Sequence, residues 1–86
     1  MTTPPHDLYL DLRGLACPLP VLKLRKALLN APSRYRILVE ATDPLAAIDI
    51  PHHIEQAGHR LILSETEPGL FRCVVEKVGG TAPTGR

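Results

Sequence analysis

Two prolines, Pro18 and Pro20, follow Cys17 with a single residue between them, and this spacing restricts the backbone more than any other stretch of the chain. Proline lacks an N–H and fixes φ at about −65°, so it is tolerated in the first turn of a helix and breaks one further along. In front of it, Leu8, Leu10 and Leu12 alternate with Tyr9 and Asp11, the period of a strand with one buried face. Gly14 then lets the backbone turn. The chain therefore runs as a strand, turns within a few residues, and starts a helix at Cys17 with Pro18 in its first position. A helix N-terminus presents unpaired backbone N–H groups and the positive end of the helix dipole, and both favour a thiolate over a thiol. Cys17 is the candidate reactive atom, with a lowered pKa expected, and Gly14, Pro18 and Pro20 are the residues that place it. The two prolines also remove two first-turn donors, which leaves the other N–H groups, the dipole and nearby cations to support a thiolate. A buried structural cysteine at a helix cap is the competing reading. The Pro-X-Pro pair weighs against it, because such a segment fixes one side chain at an exposed helix end.

Arg13 is placed either to reach Cys17 as a counter-ion or to meet a partner's acid; an ordinary solvated arginine fits the spacing equally well. The helix from Pro18 to about Asn30 carries Val21, Leu24 and Leu28 on one stripe, Leu22 and Leu29 beside it, and Lys23, Lys26 and Asn30 opposite. Arg25 falls at the edge of the apolar arc, where it either snorkels or docks a partner. Lys23, Arg25 and Lys26 together form a small basic face suited to an acidic partner, too far along the helix to be the main influence on Cys17.

A strand is predicted over Tyr35 to Ala41, with Ile37 and Val39 alternating with Arg36, Leu38 and Glu40; strand, helix and strand of this length give a right-handed crossover and a parallel pair. Thr42-Asp43-Pro44 starts a second helix, with Thr42 or Asp43 as its cap. Ala46, Ala47, Ile50, Ile54 and Ala57 share one side of it. Pro51 predicts a break near Asp49-Ile50 and a restart, and Gly58 ends the segment. Strands over His59 to Thr66 and Leu70 to Val78 are joined by a Glu67-Pro68-Gly69 hairpin turn. The order is βαβαββ. It predicts an α+β fold, a two-layer α/β sandwich in which two helices cover one face of a four-stranded mixed sheet. Residues 1–7 read as a flexible lead-in, 8–78 as a single domain and 79–86 as a disordered tail.

Eighty-six residues with 44 % hydrophobic content support one small core. Ten Lys and Arg against nine Asp and Glu give a net charge of +1, which argues against a chain-wide nucleic-acid surface. No apolar run approaches the roughly 18 residues of a membrane span, and Met1 to Asp7 has no apolar signal core. The two cysteines stand too far apart in sequence for a CxxC pair or a zinc knuckle, so a reducing cytoplasm is the expected compartment. Cys73, mid-strand between Arg72 and Val74, reads as a packing residue rather than a resolving thiol. His52, His53 and His59 invite a metal site, but adjacent histidines on a helix point apart and no carboxylate or cysteine stands at ligand spacing. Asp43 and Asp49 read as helix caps rather than a catalytic carboxylate pair. With no Ser/His/Asp set, phosphate loop or dinucleotide fingerprint, the chemistry narrows to the thiol.

Cys17-Pro18-Leu19-Pro20 resembles the hallmark Cys-Pro-X-Pro of the TusA/SirA family of small sulfurtransferases. Leu10-Asp11-Leu12-Arg13-Gly14-Leu15 in front, Leu22-Lys23-Leu24-Arg25-Lys26-Ala27-Leu28 behind, and Asp43-Pro44 with Asp49-Ile50-Pro51 sit where that family has similar residues. The resemblance implies a sulfur carrier that accepts sulfane sulfur as a persulfide on Cys17 and relays it. The donor is a cysteine desulfurase or another persulfide donor, the recipient a downstream sulfurtransferase acceptor, within tRNA thiolation, molybdenum-cofactor synthesis or sulfur oxidation. It implies no cofactor besides the transient persulfide; the charge balance and the lack of a long apolar run add the expectation of no direct contact with nucleic acid or membrane, and a monomer or weak dimer is expected, with the oligomeric state itself open. Two other functions stay open at this point: a docking or regulatory module that uses the same motif without carrying sulfur, and a thiol peroxidase or disulfide reductase needing a Cys17–Cys73 disulfide.

Overall fold

The computed structural model describes residues 5–79; the expected flexible lead-in over 1–4 and disordered tail over 80–86 lie outside the described residues. Six elements follow in the expected order: β1 (Leu8–Leu12), α1 (Leu19–Leu29), β2 (Arg36–Ala41), α2 (Ala46–Gln56), β3 (Arg60–Glu67) and β4 (Leu70–Glu76). The strands form one mixed sheet in the order β1-β2-β4-β3. β1 and β2 are parallel, with Leu10 opposite Val39, and β4 lies antiparallel to both of its neighbours. Pro68 and Gly69 close the β3–β4 hairpin, where Gly69 takes a φ of +79°.

Period-two alternation sends one set of strand side chains towards the helices. Leu12, Ile37, Val39, Ala41, Phe71, Cys73 and Val75 form a buried cluster with Leu24 and Leu28 of α1 and Ala46, Ile50 and Ile54 of α2. Cys73 is fully enclosed in it, as expected of a packing residue, and burial pushes its thiol up to about 12. The opposite face carries Arg36–Glu76, Arg60–Glu76, Arg72–Glu40 and Arg72–Glu65 ion pairs, and the Tyr9 hydroxyl donates to Glu40 at 2.7 Å. Leu38, expected among the polar residues of β2, is buried: its partner in register is Val74, and the pair lies between the Arg36–Glu76 and Glu40–Arg72 pairs.

Several local expectations are corrected. α1 begins at Leu19 rather than at Cys17, with Pro18 at the N-cap and Pro20 inside the first turn. Its buried stripe is Pro20, Leu24 and Leu28, which turns Leu22 and Leu29 outward and leaves Val21 only half-buried. α2 begins at Ala46, after a turn in which the Asp43 carbonyl accepts the Ala46 N–H, so Pro44 precedes the helix instead of opening it. It also runs unbroken through Pro51. The missing Pro51 N–H removes one i→i−4 donor near the N-terminal end, while Ala46, Ile50 and Ile54, buried on the sheet, keep the two halves on one axis. At the start of the fold, Asp7, assigned to the flexible lead-in, is tied to β2: its N–H donates to the Arg36 carbonyl and its carboxylate accepts the Arg36 N–H.

The far end of α1 is closed from β4. Lys77, a buried residue just after β4, donates from Nζ to the carbonyls of Leu28, which also accepts the Ala31 N–H, at 2.5 Å and of Ala31, two residues beyond the helix, at 2.9 Å.

Candidate functional site

The topology sets where the chemistry can be. β1 and β2 are parallel and each leads into a helix, so both helix N-termini open at the same end of the sheet, beyond the last residues of the two strands. Cys17 stands before α1, exposed, and Asp43 stands before α2. The two loops are joined by hydrogen bonds. Thr42 Oγ1 accepts the Gly14 N–H at 2.8 Å, and Asp43 Oδ2 accepts the Cys17 N–H at 2.6 Å while Oδ1 accepts the Leu45 N–H at 3.2 Å. Gly14 has a φ of +82°, a left-handed conformation open to glycine at little strain. The turn predicted there thus exists, and it is held from the neighbouring loop as well as by its own residues.

The thiol points towards α2. Cys17 Sγ lies 3.5 Å from Asp49 Oδ2, in reach of an S–H donor. Contrary to the lowered value expected from the helix dipole, the thiol pKa is raised: the Asp49 hydrogen bond is the largest cause, followed by desolvation and then the negative charges of Asp49 and Asp43. The physical reason is position. The helix starts two residues after Cys17, so the dipole is displaced from the sulfur, whereas a carboxylate is in contact with it. Between Cys17, Pro18, Pro20, Val21, Asp43, Ala46 and Asp49 the surface closes to a cleft with no room for a water molecule. Cys17 thus lies on the exposed surface rather than inside a cavity.

The predicted cations are elsewhere. Arg13 forms a two-point ion pair with Asp11, Nε to Oδ1 at 2.8 Å and Nη2 to Oδ2 at 3.1 Å, and takes no part in the environment of the thiol. Lys23, Arg25 and Lys26 are exposed along α1; Arg25 lies close enough to His53 to disfavour its protonation. His59 faces the other end of the sheet, where its Nδ1 accepts the Val78 N–H at 3.0 Å. Among the described residues no three His, Cys, Asp or Glu side chains are grouped to hold a metal ion, and no helix is long and apolar enough to cross a membrane.

Asp49, expected as a helix cap, lies instead against the thiol, 32 positions from Cys17 in sequence. One signal was present: an acid in the first turn of a helix that shares its sheet end with α1 must fall near the other helix start. Also unforeseen was the apolar surface around the thiol. Leu19 and Leu22 at the start of α1, and Leu45 and Ile48 at the start of α2, are all exposed over about half of their surface or more.

Comparisons with known proteins agree with this architecture. A solved structure of a SirA-like protein from Desulfitobacterium hafniense superposes with a TM-score of 0.71 over 85 % of this chain and all of that one, at 19 % identity, a likeness of fold. The sulfur carrier protein TusA of Allochromatium vinosum is 42 % identical over 72 residues, covering 83 % of this chain and 93 % of that relative. The family model described as sulfurtransferase TusA matches residues 8–77, which takes in all four strands and both helices. The chain, with its exposed Cys17 at the shared end of the two helices, belongs to the TusA sulfurtransferase family.

Proposed function

We propose that this protein is a sulfur carrier that holds sulfane sulfur as a persulfide on Cys17 and relays it between two proteins, a sulfurtransferase that acts as a carrier. The observation that carries this reading is the placement of one exposed thiol on an open surface, at a Pro-flanked helix start, in a chain of the TusA family. Cys17 sulfur attacks the outer sulfur of a donor persulfide. A new S–S bond forms as the donor's S–S bond breaks, the electron pair leaves with the donor sulfur, and that sulfur takes up the proton Cys17 has given up. The exchange is redox-neutral and needs no resident cofactor, since its rate is set by thiolate fraction, leaving group and access. An acceptor thiol discharges Cys17 by the same step.

The donor is a cysteine desulfurase or another protein persulfide, and the acceptor a downstream sulfurtransferase. Leu19, Leu22, Leu45 and Ile48 provide an apolar rim on which either can dock, and Lys23, Arg25 and Lys26 a basic flank. A reducing compartment, the cytoplasm, keeps both cysteines free. The relative named as a sulfur carrier supports the carrier role.

Intact-protein mass after incubation with a cysteine desulfurase and cysteine tests the reading. Wild type and Cys73→Ser should gain one sulfur, about 32 mass units, and Cys17→Ser should gain none while keeping its fold. Undiminished loading of the Cys17→Ser protein would overturn it.

A further inference from the structure

Among the described residues, the charged groups that act on Cys17 are both acids: Asp49 from the first turn of α2 and Asp43 from the loop leading into it. Lys23, Arg25 and Lys26 on α1 have no part in it, and Arg13, in the turn after β1, is engaged by Asp11. Asp49 alone reaches the sulfur; Asp43 spends its two oxygens on the Cys17 and Leu45 N–H groups. A thiolate has no proton to donate to Asp49 and would lie against a like charge. The Sγ–Oδ2 contact is that of an S–H donor on a carboxylate acceptor, and it holds while the sulfur keeps its proton.

We infer that Asp49 is a positioning residue that keeps the Cys17 thiol protonated and turned towards α2 while the carrier is free, and that a cationic group on the docked partner releases it. The inference rests on reading Cys17 as the sulfur-carrying residue, and it specifies the partner's chemistry. The partner's persulfide lies beside a Lys or Arg that can neutralise Asp49 on docking, after which Cys17 attacks as described above and its proton ends on the departing donor sulfur. The free carrier is correspondingly slow towards small electrophiles, which bring no such cation.

The rate of Cys17 alkylation by iodoacetamide as a function of pH, followed by peptide mass on the free protein, tests this. In Asp49→Asn the midpoint should move to lower pH, with the rate at pH 7.5 rising about threefold to tenfold, whereas Asp49→Glu, which keeps the charge, should stay near wild type. A midpoint unchanged in Asp49→Asn, or lowered as far in Asp49→Glu, would overturn the inference. Should the asparagine variant fail to fold, wild type decides alone: a midpoint above that of a free cysteine peptide supports the role, and one at or below it overturns it. No sulfur donor enters this measurement. Its failure would leave the loading experiment with Cys17→Ser untouched, and a failure of loading would leave the alkylation profile readable.

Discussion

Asp43 holds two elements at once, and that makes it the residue on which the shape of the site depends. One oxygen closes a turn onto Leu45 and the other takes the Cys17 N–H at 2.6 Å. Side-chain bonds of this sort to otherwise unpaired backbone donors typically contribute about 0.5–2 kcal/mol. Asp43→Ala should lose stability in that range by urea unfolding and should slow sulfur loading more than the stability loss explains, because the turn that aims Cys17 is no longer anchored. Asp43→Asn, which keeps one acceptor oxygen, should fall between the two. Of the two acids near the thiol, then, Asp43 alone holds the Cys17 backbone and Asp49 alone touches its sulfur.

At the scale of elements, α2 is the informative case. Pro51 sits inside an 11-residue helix without breaking it. Replacing an interior proline restores a donor and relieves a clash, worth up to about 3 kcal/mol in an unconstrained helix. Pro51→Ala should therefore raise the thermal midpoint, by about 4–8 °C per kcal/mol recovered in a domain of this size. The sequence showed the proline and its local effect but not the buried contacts of Ala46, Ile50 and Ile54 that override it. The same division holds elsewhere. β1, the hairpin at Pro68-Gly69 and the helix behind Cys17 were legible because alternation, turn chemistry and proline rules are local. Leu38 was misplaced because its burial depends on Val74 across the sheet. Asp49 was overlooked because its partner is brought to it by parallel pairing, and the lowered thiol pKa failed with it.

For the molecule as a whole, acid should be the destabilising direction, starting near neutrality. His53 and His59 both titrate below the ordinary histidine value, His59 chiefly through desolvation and then Lys77 and His53, and His53 through desolvation and then Arg25 and His52. The unfolded chain therefore binds these protons more readily than the folded one. Their contribution is intact above the unfolded value of about 6.5 and is lost as pH falls below it. Protonation of His59 at Nδ1 also forfeits the Val78 N–H bond. The melting temperature should fall between pH 7 and pH 5, and His59→Gln should flatten that fall. A second loss is expected further down, where Glu40, held below its usual range by Tyr9 and Arg72, takes up its proton.

The arrangement that places Lys77 on the closing carbonyls of α1 also fixes how the protein can be handled. That helix is about 16 Å long, with Cys17 before one end and Lys77 capping the other. Val78, exposed beside that cap, offers a point of attachment at the pole away from the thiol. A surface tether fixed there would grip the molecule by its back and leave the sulfur facing outward.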